Sequence, residues 1–533
     1  MSQGNKNRFS HIIDGLTGRD RETKIWSIIA LGMLRISEHA DILVDMLSSP
    51  DEGIVEATIE ALGRIGNPRS VKYLLEFVLG ENPRFMEKAL AVLPSFDLKS
   101  VLDAVLKSAG PDRPPLLRRR VLALAAHLKD PRVAAAMNDV LGQTQDPGLL
   151  VEALGYFVRF PSPERKTALK MLSTSAQWEV SMAANLALSR LHDEAARGQM
   201  RRMAKSPAHP VRMAIVNGIN KAAMIEDREL YEVFLRDSHS QIKLLALEGL
   251  HLFPPVERQP LLLELAQKER DEIVRLEFYK LAVHEKSPLF YEEFLRNLSG
   301  SAEAFKRVSR DGLIALGPGI VNKLLADFPR QSTVVKEQLL LILGHIGGEK
   351  VLPTVAAHLN SKERWLRLNA IEALAIMKLK SYAPRFRDML SREEDVWVRA
   401  TLLSALGRIS DGSYLPVFEE NLKHADARVR ANAIEGLMKL SEKPPRGMVA
   451  PLLHDPNDRV RVNAAIILWK MGEATVIPAL QGMTQETTKW MKASAAFALG
   501  EIGDYAGAPA LLELLADSEE VVYRNTLEAL VKI

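Results

Sequence analysis

Two histidine–aspartate pairs are the clearest candidates for metal chemistry in this sequence. His424 lies two residues before Asp426, and His454 lies directly before Asp455, 30 residues further along. Imidazole nitrogens and carboxylate oxygens are ligands that zinc and other divalent cations accept. The same residue types are also common in the polar turns that precede helices, and the sequence favours that interpretation. We therefore predict no metal site and no cofactor.

Catalytic motifs do not accompany these pairs. The sequence has no dinucleotide-binding glycine pattern, no His-Glu-x-x-His pair and no serine nucleophile elbow. The stretch GHIGGEK (344–350) has the composition of a phosphate-binding loop but the wrong spacing. Cysteine is absent from the chain, which excludes thiolate nucleophiles, disulfides and cysteine-bound metals. The sequence therefore favours a protein that is not an enzyme.

Composition indicates a folded protein with no concentrated charge. Of the 533 residues, 47% are hydrophobic and 26% are charged, and the net charge is +3. Residues 1–204 hold 27 basic and 24 acidic side chains, and the remainder holds 43 of each. This even balance disfavours nucleic acid as a partner. The polar N-terminus and the lack of a long apolar run lead us to expect a cytoplasmic protein with no insertion into a membrane.

A repeat is the dominant pattern of the sequence. DVWVRATLLSALGRIS (395–410) returns 31 residues later as DARVRANAIEGLMKLS (426–441), with an apolar residue before each arginine. We call this apolar residue the anchor and count positions from it. Anchors recur at intervals of 30 to 32 residues: Thr23, Ile54, Phe85, Leu117, Leu149, Val180, Val211, Ile242, Val274, Phe305, Val335, Leu366, Val398, Val429, Val460, Met491 and Tyr523.

Each repeat has the pattern of two short helices. Apolar or small residues follow the anchor at +4, +5 and +8, as in Ala433, Ile434 and Leu437, which is one face of a helix. A second apolar stripe precedes the next anchor, and proline often stands in its first turn, where it favours helix entry. Strand-like alternation is absent. The sequence therefore predicts an all-α fold built from about 17 two-helix repeats with a period of 31 residues.

The pattern D-x-x-V-R-x-x-A-x-x-A-L-G resembles the HEAT-repeat superfamily, specifically the short bacterial-type repeats also found in phycobilisome-lyase-like proteins. The resemblance covers essentially the whole chain, is sharpest in 332–510, and is loose in 85–110 and 286–330. It implies one continuous α-solenoid over residues 1–533. We expect hinges at the irregular stretches near 252–260 and 312–330.

The recurring aspartate and arginine have structural roles in this interpretation. The aspartate precedes the second helix, where its carboxylate can cap free N–H groups. The resemblance implies that the basic residue after the anchor forms a ladder, each reaching an aspartate or the backbone of a neighbouring repeat. A phosphate-binding stripe is the alternative, which the recurring aspartates disfavour. From 212 onward the basic position is unbroken: Arg212, Lys243, Arg275, Lys306, Lys336, Arg367, Arg399, Arg430, Arg461, Lys492 and Arg524.

Candidate binding residues follow from the resemblance, which implies that the second helices line the concave face of the solenoid. The residues expected on this face lie at +3, +6 and +10, and three tryptophans lie directly before an anchor. Structural explanations stay open for both sets: short polar residues fit a curved inner surface, and indoles can seal the groove between repeats. The candidates are Asn369, Asn432, Asn463, Glu372, Glu435, Arg408, Lys439, Lys470, Trp365, Trp397 and Trp490.

These features favour a non-enzymatic scaffold that binds a protein partner along the concave face. Two alternatives are a phycobilisome-lyase-like protein that handles a chromophore, and a DNA-binding or DNA-repair HEAT solenoid. The last repeat, EVVYRNTLEALVKI, ends in its second helix without a polar cap. Self-association or partner docking through this end is therefore a further expectation.

Overall fold

A computed structural model describes residues 10–18, 20–35, 40–99, 101–223, 228–440, 445–473 and 475–533. These residues form α-helices joined by loops and short 3-10 turns, and none of them lies in a strand. The chain divides into two compact units, Met1–Arg258 (unit 1) and Gln259–Ile533 (unit 2).

Unit 1 is built from sixteen described helices and the first turn of a seventeenth. They are α1 (Ser10–Thr17), α2 (Arg21–Leu34), α3 (Ala40–Met46), α4 (Glu52–Ile65), α5 (Val71–Leu79), α6 (Pro83–Val92), α7 (Leu102–Ser108), α8 (Pro115–Ala125), α9 (Pro131–Gln143), α10 (Pro147–Arg159), α11 (Lys166–Ser173), α12 (Trp178–Ser189), α13 (Glu194–Met203), α14 (His209–Ala222), α15 (Arg228–Leu235), α16 (Ser240–Gly249) and α17 (Pro255–Lys268).

Unit 2 continues with the same alternation of helices. They are α18 (Glu272–His284), α19 (Tyr291–Asn297), α20 (Glu303–Leu316), α21 (Val321–Asp327), α22 (Thr333–Ile346), α23 (Leu352–Ala357), α24 (Arg364–Ile376), α25 (Ala383–Arg392), α26 (Val396–Ile409), α27 (Leu415–Asn421), α28 (Ala427–Lys439), α29 (Arg446–Val449), α30 (Asp458–Lys470), α31 (Val476–Thr484), α32 (Lys489–Ile502), α33 (Ala508–Leu514) and α34 (Glu520–Lys532).

The predicted all-α solenoid class is confirmed. Odd-numbered helices are the first helices of the repeats and even-numbered helices are the second, from α1/α2 to α33/α34. Within each unit, most successive second helices pack directly on one another, as α2 on α4 and α26 on α28. The division between the units falls inside the irregular stretch 252–260. The hinges and the single continuous array over 1–533 stay predictions.

The predicted register holds except in the last repeat, where it is wrong by one residue. Val522 is completely buried, whereas the predicted anchor Tyr523 is 45% exposed. Thr526 and Ala529 are also buried, which matches positions +4 and +7 when the count starts at Val522. Arg524 therefore does not occupy the basic position of the ladder. The arginine directly after Tyr523 hid this shift in the sequence.

Aspartate caps begin many of the second helices, as the sequence predicts. In α26 the Asp395 carboxylate accepts the N–H groups of Trp397 at 2.9 Å and Val398 at 3.2 Å. Each such bond satisfies an N–H that has no partner inside the helix. The same role is played by Asp20, Asp51, Asp146, Asp271 and Asp426.

Small residues set the distance between successive second helices. A Cβ atom built on Gly344 in α22 would lie 2.6 Å from the Cα of Ala373 in α24. Gly500 in α32 meets Ala529 in α34 at the same distance. Both pairs join position +9 of one repeat to position +7 of the next. Glycine is therefore required at 344 and 500 because the neighbouring backbone occupies the space of a side chain.

We expect Gly344→Ala to lower the thermal unfolding midpoint of the chain. The added methyl group must push α22 and α24 apart, an overpacking that costs about 1–3 kcal/mol. Gly142→Ala is the matched control, because a Cβ at this position in α9 meets no atom within 4 Å. The control should be neutral or stabilising by up to about 1 kcal/mol, since alanine favours helix over glycine. Equal midpoints for the two variants, by circular dichroism, would contradict this account of the packing.

Candidate functional site

Several of the basic residues after the anchors form the predicted ladder, but their acidic partners are not the ones expected. Arg275 and Lys306 instead pair with Glu272 and Glu303 of their own helices. Arg430 in α28 pairs with Asp455 of the next repeat, with Nε–Oδ2 and Nη2–Oδ1 distances of 2.7 and 2.8 Å. Arg212 pairs with Asp237 in the same way, at 2.6 and 2.9 Å. The helix-capping aspartates do not take this role, so the expectation that they neutralise the ladder is wrong.

The acidic partner lies two residues before the cap of the next second helix. Asp455 also accepts the N–H of Asn457, the cap of α30, at 2.9 Å. Asp517 accepts both Lys492 Nζ at 2.8 Å and the N–H of Glu519 at 2.9 Å. One carboxylate thus binds the cation of the preceding repeat and fixes the loop that starts the next helix. These contacts account for the basic residue after the anchor, so a phosphate ligand is not needed to explain it.

Burial and charge act in opposite directions on Asp455. Burial by itself would raise the pKa of its carboxyl, but hydrogen bonds from Arg430 and the Asn457 N–H, together with the guanidinium charge, lower the pKa below its usual value. Both side chains of the Arg430–Asp455 pair are about nine-tenths buried. The carboxylate therefore stays ionised and paired at neutral pH.

The asparagine row at +3 is occupied by hydrogen bonds within the protein. Asn369 Nδ2 donates to the carbonyl of Glu337 in the preceding repeat at 2.9 Å. Asn463 is buried, and its Nδ2 donates to the Ala431 carbonyl at 3.3 Å. Asn432 instead bonds the Arg428 carbonyl of its own helix at 2.9 Å. Packing between helices explains this row, and ligand binding by it stays a prediction.

Most candidate charges of unit 2 are also paired within the protein. Arg408 makes a two-pronged ion pair with Glu372 of the preceding repeat, with an Nη1–Oε1 distance of 2.8 Å. Glu435 contacts Arg459 at 2.5 Å. The only contact described for Lys439 is a 3.4 Å approach to Ser404 Oγ, and Lys470 is exposed. Glu372, Arg408 and Glu435 are thus paired within the protein, whereas Lys439 and Lys470 form no ion pair with a described side chain.

The tryptophans, in contrast, are exposed. Trp365, Trp397 and Trp490 keep 48%, 43% and 62% of their surface accessible, at the starts of three second helices. The Trp365 and Trp397 rings stand 6.4 Å apart between centroids. The guanidinium of Arg428 lies 3.5 Å from the centroid of the Trp397 ring. We call Trp365, Trp397, Arg428, Arg459 and Trp490 the tryptophan row, because all five immediately precede an anchor.

One pocket in unit 1 is a feature that sequence reasoning missed. It lies on α10, α12 and α14, at helix positions +2 to +10, whereas the candidate residues predicted at +3, +6 and +10 all lie in unit 2. Its volume is about 370 Å³. The signal in the sequence that could have revealed this pocket is the glycines and alanines at its position on three successive second helices. It is lined by Ala126, Val151, Glu152, Gly155, Tyr156, Val158, Arg159, Met182, Ala183, Leu186, Ala214, Asn217, Gly218 and Lys221.

The histidine–aspartate pairs act in loops. His424 Nδ1 accepts the N–H of Asp426 at 3.0 Å, and Asp455 belongs to the ladder. Nowhere in the described parts of the chain do three or more histidine, aspartate or glutamate side chains gather in a way that could hold a metal ion.

Of the described helices, none is long and apolar enough to cross a membrane. Leu527 and Val531 on α34 are exposed, and self-association through this helix stays a prediction.

A comparison with protein families agrees with this architecture. A family model described as HEAT repeats matches residues 9–93, 383–447 and 446–531. Among solved structures, YibA of Escherichia coli is 22% identical over 47% of this chain and 94% of its own, with a TM-score of 0.32. Yeast importin-β is 11% identical over 98% of this chain and 84% of its own, with a TM-score of 0.43. Human deoxyhypusine hydroxylase is 20% identical over 47% of this chain and 96% of its own, with a TM-score of 0.23. No curated protein matches the sequence.

We expect Asp455→Ala to destabilise the chain at neutral pH, by about 3 kcal/mol, because it leaves Arg430 buried without its partner. The folded-state pKa of Asp455 is lowered, so the stabilisation is present above the unfolded value of about 3.9 and is lost as the pH falls through the folded value. The difference in melting temperature between wild type and variant should therefore shrink from pH 7 to about pH 3.

Asp388→Ala is the control for this comparison. Asp388 pairs with Arg392 on the surface, where 57% and 77% of the two side chains are exposed. Such pairs contribute about 0–1 kcal/mol, so the control should barely change the melting temperature. A difference for Asp455→Ala that stays constant down to about pH 3 would show that the ionised pair is not the source of the stability.

Proposed function

The chain belongs to the HEAT-repeat superfamily, and we propose that it is a non-enzymatic, cytoplasmic scaffold that binds a protein partner on the second helices of unit 2. The exposed tryptophan row carries this proposal. Tryptophan and arginine are the residues most enriched at the energetic centres of protein interfaces. A tryptophan whose ring is about half exposed contributes little to the core and leaves a large apolar surface for a partner.

Local geometry favours a partner that covers the two neighbouring indoles together. Trp365 and Trp397 form a paired aromatic surface, and Arg428 stacks against the second ring. The stacked arginine holds the indole in place, which lowers the entropy lost on binding. Because the nearby charges at +6 and +10 are largely paired, apolar contact rather than net charge would supply the affinity.

The even charge balance disfavours nucleic acid on this surface. Single-stranded nucleic acid is bound by aromatic rings in a groove rich in unpaired cations. On the tryptophan row, Arg459 is already paired with Glu435. A protein surface with apolar side chains therefore fits the row better than a phosphate backbone does.

The test is capture of partners from nuclease-treated native lysate by the tagged chain, followed by quantitative mass spectrometry. We expect a protein that is retained by the wild type and reduced at least about tenfold by the Trp365→Ala/Trp397→Ala double variant, because hot-spot truncations cost about 2 kcal/mol or more. Trp26→Ala is the matched control, since Trp26 is 67% exposed in unit 1.

The control should retain the same partner as the wild type. A partner lost equally with Trp26→Ala and with the double variant would contradict a specific role for the row. Retention of nucleic acid or pigment, with no protein bound, would contradict the scaffold proposal itself. Circular dichroism of the three proteins should give the same helical content, because all the substituted side chains are exposed.

A further inference from the structure

The pocket of unit 1 is an apolar cavity with a rim of cations. Its floor is formed by Val151, Tyr156, Met182 and Leu186, of which all but Val151 are buried. A volume of about 370 Å³ lies within the range of roughly 300–1,000 Å³ found for ligand sites. The cavity exists because α10 has a glycine where a large side chain would fill it. A Cβ on Gly155 meets no atom within 4 Å.

The cations at this pocket lack acidic partners among the described residues. Arg159 and Lys221 line the rim, and the charge of Arg119 also reaches the carboxylate of Glu152. None of these three cations forms an ion pair with a described side chain. In unit 2, by comparison, Arg408 at the same repeat position as Arg159 is neutralised by Glu372. The pocket thus combines an apolar floor with an excess of positive charge.

We propose that this pocket binds an acidic segment of a protein partner, with one large apolar side chain in the cavity and carboxylates on both sides of it against Arg159 and Lys221. The proposal rests on protein binding as the function, and it adds a second binding surface, in unit 1. Charge complementarity favours an anionic segment, and the apolar floor requires a side chain rather than a free anion.

A nucleic acid fits this surface less well. Phosphate backbones are bound by cations and polar groups, and they leave an apolar cavity of this size unfilled. An acidic segment with an aromatic or large aliphatic residue satisfies both parts of the pocket at once. Arg159 and Lys221 lie on α10 and α14, so carboxylates on either side of the apolar residue can each find a cation.

Glu152 is the one acidic group among the residues that line the pocket. Burial raises the pKa of this carboxyl, and the charges of Arg119, Lys221 and Arg159 oppose that rise. Its negative charge, where present, repels a carboxylate of the peptide. Removal of its charge in Glu152→Gln should therefore tighten the binding of an acidic peptide at neutral pH.

Fluorescence anisotropy of a labelled peptide, Ser-Asp-Glu-Phe-Asp-Glu-Ser, titrated with the full chain tests the proposal. Two companion peptides carry alanine in place of phenylalanine, or asparagine and glutamine in place of the four acidic residues. We expect the parent peptide to bind, and each companion to bind at least about tenfold more weakly, which corresponds to about 1.4 kcal/mol.

Gly155→Met is the decisive variant because Gly155 lines the cavity and a Cβ at this position meets no atom within 4 Å, so that the long side chain has open space to occupy. It should weaken binding of the parent peptide at least about tenfold, while its melting temperature is equal to or above that of the wild type, since methionine favours helix over glycine. Gly142→Met is the matched control, with the same change at an open position of α9. It should bind the peptide as the wild type does.

Charge reversal gives an independent measurement. Lys221→Glu should weaken binding about tenfold or more, and Lys205→Glu, on an exposed residue outside the pocket, should not. Tight binding by Gly155→Met or by Lys221→Glu would overturn the proposed site. Weaker or unchanged binding by Glu152→Gln would overturn the placement of the peptide carboxylates.

The two proposals fail in distinguishable ways. If the peptide does not bind the wild type, while partner capture still depends on Trp365 and Trp397, the pocket proposal is wrong and the scaffold function stands. If the peptide binds as expected and no partner depends on the tryptophans, the binding surface lies in unit 1 instead of unit 2.

Discussion

Close contact between successive second helices is the constraint on which the other interactions depend. At Gly344 against Ala373, and at Gly500 against Ala529, the helices approach until no side chain fits between them. This contact fixes the step from one repeat to the next, so that equivalent residues recur at a nearly constant separation. Arg430 can therefore reach Asp455, and Arg212 can reach Asp237, with the same geometry in different parts of the chain.

Most of the polar residues that recur with the repeat form hydrogen bonds or ion pairs that hold the repeats together. The aspartates cap helices, the basic residues bind the loop of the next repeat, and Asn369 and Asn463 join neighbouring second helices. A buried polar group must be satisfied in this way or it costs stability. The exposed indoles and the unpaired cations do not make these contacts, and they are consequently the residues proposed to meet a partner.

The sequence predicts the period, the helix pairs and most caps, because each depends on residues close together in the chain. It does not predict that Asp455 rather than Asp426 pairs with Arg430. Both aspartates lie near an end of a second helix in the repeat pattern, and the conformation of the folded loop determines which of them reaches the guanidinium. The shift from Tyr523 to Val522 escaped because Arg524 follows Tyr523, so that the pattern of an apolar residue before an arginine placed the anchor one residue too late. The pocket around Gly155 is an empty volume bounded by three helices of successive repeats. The spacing of residues within one repeat therefore does not reveal it.

The two units present different chemistry on the same helix positions. In unit 2, position +10 carries Arg408, which Glu372 neutralises, and the lysines Lys439 and Lys470, and the exposed indoles stand at the helix starts. In unit 1, position +10 carries Arg159 and Lys221 beside an apolar cavity. Repeat architecture allows this divergence because the core positions that stack the helices are separate from the outer positions that vary. The two proposals, an apolar surface bound by unit 2 and an acidic segment bound by unit 1, therefore require no change in the packing that builds either unit.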